Sequence, residues 1–188
     1  MSNFQDKIQS VISKLSDDLK AELNNSLKKK SFKKGEKLLE IGQVCKESYH
    51  VESGILSKFY YNNEKEITSE FYFEQDVALS LESYTSQTES IECIEALTDT
   101  VVIATDFYHF QKLKSNYPEL LELDILFSEH YCLRLEEKMM DLQVLNASQR
   151  YEKLLAKSPE IIQNIKLTHI ATYLNVSLET LSRIRAKI

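Results

Sequence analysis

Three features of the 188-residue sequence predict an α+β chain: an N-terminal antiparallel β-roll between helices, then a long helix, then a helix-turn-helix. Hydrophobic spacing switches from the helical period to strict alternation near Gly35 and back again near Thr105. A heptad-spaced stretch follows Pro118. The residues from Leu167 to Ile188 place apolar side chains where two short helices would cross over a tight turn.

Taken in order, Phe4, Ile8, Val11, Ile12 and Leu15 share one helical face. Ser16 suits the N-cap of a second helix. Asp17 and Asp18 then fall in a first turn where acids favour the dipole, and Leu19, Leu23 and Leu27 line its face. Lys28 to Lys34 reads as a basic exit into Gly35. Strands are expected over 36–41, 48–53, 55–61, 66–73, 89–94 and 100–105, with Asn62-Asn63 as a hairpin turn. In the fourth of these, Ile67, Ser69, Phe71 and Phe73 alternate with Thr68, Glu70, Tyr72 and Glu74, as a half-buried strand requires. Tyr49, Tyr60, Tyr61, Tyr72 and Tyr84 read as roll packing.

Pro118 opens a helix expected to run to about Leu145. Leu121, Ile125, Ser128, Cys132, Leu135, Met139 and Leu142 recur along it in steps of three and four, the seam of a parallel two-chain coiled coil. Leu120, Phe127 and Tyr131 lie elsewhere on the helix and are free to pack on the roll. Asn146-Ala-Ser148 starts a further helix that Ser158-Pro159 stops. These breaks suggest three parts, 1–117, 118–145 and 146–188.

In the last part Ile170, Leu174, Val176, Leu181 and Ile184 are apolar, and small Ala171 lets two helices approach. Asn175 falls where the turn needs a left-handed residue, and Ser177 can cap the second helix. That helix is expected to bury Leu178, Leu181 and Ile184 and to present Glu179, Arg183 and Lys187 on one ridge. A major groove accepts such a helix, and Arg183 has the fork geometry that reads a guanine edge.

Charge supports that reading. The net charge is −6, yet residues 146–188 hold seven bases and three acids, a balance of +4 that leaves −10 on residues 1–145. A basic tail on an acidic body gives a local electrostatic footprint for duplex DNA. No run of eighteen apolar residues and no apolar leader core is present, so a cytoplasmic location with no membrane contact is expected. Cys45, Cys93 and Cys132 are odd in number and scattered, and read as buried thiols. His50, His109, His130 and His169 form no metal-ligand spacing. There is also no phosphate loop and no nucleophile elbow, so neither enzyme, metal nor cofactor is expected.

The order of these parts resembles the Crp/Fnr family of bacterial transcription regulators over nearly the whole chain. Lys34-Gly-Glu, Ile41-Gly-Gln and Val51-Glu-Ser-Gly-Ile-Leu are similar to the opening of its cyclic-nucleotide-binding roll. Phe73-Glu-Gln-Asp-Val resembles the strand leading into its phosphate cassette, and Ser177-Leu-Glu-Thr-Leu-Ser-Arg183 its recognition helix. The resemblance implies a homodimer, with RNA polymerase as a candidate partner. It implies that Ser177 touches phosphate and that Glu179 and Arg183 reach bases. Thr180, Arg185 and Lys187 complete the expected DNA-binding set. Leu178 stands where the family often has a second arginine, and with the sequence read to Ile188 a hairpin wing is not expected.

The cassette departs further from the pattern. Leu79-Ser80 stand where a Gly-Glu pair is expected, and the later arginine pair falls at Glu89-Ser90 or Ser90-Ile91, depending on register. Residues 66–111 contain no lysine or arginine and ten acids. Burying a phosphate beside carboxylates without a cation would cost several kcal/mol. A vestigial roll that binds no cyclic nucleotide is therefore expected. The competing reading is a non-DNA-binding interaction or sensor protein with a vestigial helix-turn-helix.

Overall fold

The computed structural model describes residues 4–159 and 161–186, so Lys187 of the expected ridge lies outside the described residues. Helices α1 (Phe4–Lys14) and α2 (Asp17–Ser26) come first. Strands β1 (Lys28–Phe32), β2 (Lys37–Leu39), β3 (Glu47–Ser53), β4 (Leu56–Asn62), β5 (Lys65–Tyr72) and β6 (Val77–Ala78) follow. Then come α3 (Leu81–Ser86), β7 (Cys93–Ala96), β8 (Thr100–Asp106), α4 (Phe107–Asn116) and α5 (Leu120–Val144). The chain continues through α6 (Ala147–Lys157), α7 (Ile161–Asn164), α8 (Leu167–Tyr173) and α9 (Leu178–Arg185). This is the expected α+β class. Two compact units form, one from residues 1–27 and 105–144, the other from 28–104 and 145–188.

The first unit is helical. Val11, Leu15 and Leu19 bury against Leu113, Leu120 and Leu123. Ser16 caps α2 by accepting from the Leu19 N–H at 3.4 Å. Ser16 also donates to Glu119 from its N–H at 2.9 Å and its hydroxyl at 2.6 Å, which holds that carboxyl below its ordinary range. Leu120 and Phe127 pack here with residues of α1, α2 and α4. Phe4 stacks on His130 at 3.6 Å between ring centres. Over its 25 residues, about 37 Å, α5 leaves an apolar face open.

The second unit joins the roll to the C-terminal helices. Its strands form two sheets, β1-β8-β3-β6 and β2-β7-β4-β5. Between them lie Leu39, Val51, Leu56, Tyr72, Ile94 and Val102. Lys28 to Phe32, expected as an exit segment, is an edge strand paired to β8. Its lysines suit an edge, where charge discourages further pairing, and Lys29 and Lys30 pair with Glu52 and Glu47 at 2.6 and 2.5 Å. Gly54 turns β3 into β4 at φ +94°, where a β-carbon would sit 2.6 Å from the Asp99 carbonyl. The β4–β5 hairpin turns at Asn63 and Glu64, both left-handed, as its twist demands.

A register shift between Lys58 and Phe59 interrupts the pairing of β4 with β5. Lys58 faces Glu70, and Phe59 faces Thr68. Tyr72 then joins the roll interior, while Phe71 joins a second core with Ile161, Ile170, Leu174, Leu181 and Ile184. Both faces of β5 are therefore buried near its end, and the expected solvent face is absent there. Cys45 and Cys93 are buried and burial raises both thiols, that of Cys93 to about 12. Cys132 is exposed on α5, contrary to the expectation of three buried thiols.

Candidate nucleic-acid interface and the roll interior

Local chemistry shapes the turn between α8 and α9. Asn175 takes φ 54°, and the Val176 and Asn175 N–H groups close back on the Ala171 and Thr172 carbonyls at 3.0 and 3.1 Å. Ala171 is buried, so the two helices approach closely. Ser177 caps α9 by accepting from the Thr180 N–H at 3.1 Å, and its hydroxyl also meets that of Thr180 at 3.1 Å. Under α9, Leu181 and Ile184 are buried with Ile170 and Leu174.

The opposite face of α9 is open. Ser177, Glu179, Arg183 and Arg185 are exposed, and Thr180 is half-buried. Leu178 is also exposed, at 41%, which corrects its expected burial: it lies at the start of the helix, beyond the reach of the α8 core. The Glu179 carboxyl is held below its ordinary range, first by its own backbone N–H, then by the Ser177 hydroxyl. Arg183 donates from Nε to the Glu179 carbonyl at 3.4 Å, one helical turn back.

The basic residues divide into two kinds. Arg150 is structural: it donates to the Leu174 carbonyl at 3.2 and 3.0 Å and to the Leu145 carbonyl at 2.6 Å. Lys157 lies over the Phe73 ring at 5.0 Å, with Asp76 at 3.7 Å. Lys166, Arg183 and Arg185 stand exposed around the helix pair.

Inside the roll, Ser80 and Ser90 meet and the other expected cassette residues do not. Ser80 donates to Glu92 at 2.6 Å, and Ser90 donates to the Ser80 hydroxyl at 3.0 Å. Leu79 packs at the margin of the roll core. Glu89 is exposed beside a lone bridge to Val44, and Ile91 is 70% exposed. Sequence reasoning missed the cation. Lys58, on β4, carries its ammonium into the interior, 3.4 Å from Glu92 and 3.8 Å from Glu70, while Tyr72 donates to Glu70 at 3.1 Å.

Solved structures are similar to this chain over most of its length. A transcriptional regulator assigned to the Crp/Fnr family, from Eubacterium rectale, has a TM-score of 0.72 at 18% identity, covering 94% of this chain and 85% of that one. FixK2 from Bradyrhizobium japonicum has a TM-score of 0.71 at 18% identity, over 86% and 83%. The c-di-GMP-responsive global regulator CLP of Xanthomonas campestris has a TM-score of 0.67 at 12% identity, over 92% and 91%.

The chain has a Crp/Fnr-like fold.

No family model matches the sequence, and no curated protein matches it. Within the Crp/Fnr-like fold, all seven seam residues of α5 (Leu121, Ile125, Ser128, Cys132, Leu135, Met139 and Leu142) are exposed. Among the described helices none is long and apolar enough to cross a membrane.

Proposed function

We propose that the protein is a sequence-specific DNA-binding transcriptional regulator of the Crp/Fnr type that acts as a cytoplasmic homodimer without responding to cyclic AMP. The open face of α9 carries the reading: Ser177, Glu179, Arg183 and Arg185 stand clear of a helix locked from below by Leu181 and Ile184. Glu179 and Arg183 are assigned to base edges, Arg183 by bidentate contact to guanine. Ser177, Thr180, Arg185 and Lys187 are assigned to phosphates, which position the helix without specifying sequence.

The exposed α5 seam supports pairing with a second copy, which would set two reading helices about 34 Å apart on successive half-sites. RNA polymerase is the partner through which such a regulator acts. The network of buried Lys58 and Ser80 with half-buried Glu92 supports the absence of a cyclic nucleotide response. A cyclic phosphate entering there must compete with half-buried Glu92 and buried Glu70 for the Lys58 ammonium, and a buried carboxylate left without its cation is costly. Selection from random duplexes tests the DNA reading and is expected to return a near-palindrome; recovery of no preferred sequence overturns it. Calorimetry with cyclic AMP is expected to show no heat of binding, and micromolar affinity would end that part of the proposal.

A further inference from the structure

We infer that Glu66, on the edge strand of the roll, is a positioning residue for the DNA-reading helix. The inference rests on the DNA-binding reading above. Strand β5 ends the order β2-β7-β4-β5, so its outer backbone edge faces no further strand. Helix α8 lies against that edge. The Thr68 backbone N–H donates to the Thr172 hydroxyl at 3.1 Å, and that hydroxyl donates to the His169 carbonyl at 3.2 Å. Glu66 Oε1 sits 2.8 Å from His169 Nδ1, with the Thr68 hydroxyl 3.4 Å from the same nitrogen. Further along, the Phe71 ring meets Tyr173 at 4.8 Å.

Four contacts from one strand to one helix thus fix both the position of α8 along β5 and its rotation about its own axis. The apolar part of the junction, Ile55, Phe71 and Leu97 against the helix core, supplies burial, which is non-directional. Direction comes from the polar contacts. The strongest type among them is the carboxylate–imidazole pair, which is charge-assisted when the ring is protonated. The side chain of His169 is 12% exposed and that of Glu66 31%, so water competes weakly for the ring. Because Ala171 and the turn at Asn175 leave α8 and α9 in close contact, a tilt of α8 passes to the reading face. Glu66 itself lies on the roll, outside the helix pair.

The duplex selected by the wild-type protein and a random duplex of equal length provide the test. The ratio of the two affinities is the readout, because loss of an acid near DNA raises both affinities together and leaves the ratio unchanged. Glu66→Ala is expected to lower the ratio about tenfold, within the range for coupled positions. Glu66→Gln keeps an acceptor oxygen for the imidazole and is expected to hold the ratio within about twofold of wild type. Thr172→Val removes the acceptor of the Thr68 N–H without touching Glu66, and is expected to lower the ratio in the same direction even if Glu66→Ala does not fold. An unchanged ratio in Glu66→Ala, or in Thr172→Val where Glu66→Ala fails to fold, overturns the inference. So does an equal loss in Glu66→Gln and Glu66→Ala. Failure of the wild-type protein to select any duplex instead removes the DNA reading on which the inference stands.

Discussion

Arg183 and Lys58 show how one charge serves opposite ends depending on its surroundings. Arg183 is exposed on α9, with its Nε on the Glu179 carbonyl one turn back. Arg183→Ala should weaken binding to the selected duplex by about 1–3 kcal/mol and relax preference at one position of each half-site. Repeating the selection with this variant checks both effects; an unchanged consensus removes the assignment. Lys58 is buried to 4% exposure and faces two carboxylates. Lys58→Met should cost about 3–5 kcal/mol in urea unfolding, because it strands buried charge, and adding Glu92→Gln should recover part of the loss. A neutral outcome for Lys58→Met would show that the carboxylates find other partners, and the network would lose its role in excluding a phosphate.

At the scale of elements, the proposed pairing of two chains rests on α5. Its seam residues are apolar or small, yet its own chain leaves them open, with Ile125 57% and Met139 60% exposed. Leu135→Glu should therefore leave the helix folded while setting like charges against each other across a two-fold interface. Sedimentation equilibrium should show a shift from dimer to monomer; an unshifted mass would place the contact elsewhere. The elements that were legible in the sequence owe this to local causes. The helix-turn-helix follows from Ala171, Asn175 and Ser177 acting on their immediate neighbours, and the Asn146 capping box that opens α6 is equally local. Elements decided by distant partners were not legible. The lysines of β1 form a strand because β8 offers backbone partners, and Lys58 is buried because Glu70 on β5 and Glu92, just before β7, meet it from elsewhere in the roll. Glu70 and Tyr72 keep the alternation with Phe71, but distant partners bury both faces of β5 there. Helices α3 and α4 lack the long apolar stripe that announces a helix.

For the whole molecule, charge separation is the organising feature. Residues 1–145 carry the acidic excess, while exposed Lys166, Arg183 and Arg185 give the helix pair a positive field. Among the candidate site residues, the open face of α9 followed from helical spacing, but the cassette was legible only at Ser80 and Ser90, because its geometry depends on how β6, α3 and β7 return to one another. The most direct test of the account is titration of the purified protein onto a duplex carrying the selected sequence, across a range of salt concentrations. Two chains per duplex are expected, with log affinity falling linearly as log salt rises. Absence of binding to any duplex at low ionic strength would contradict the account.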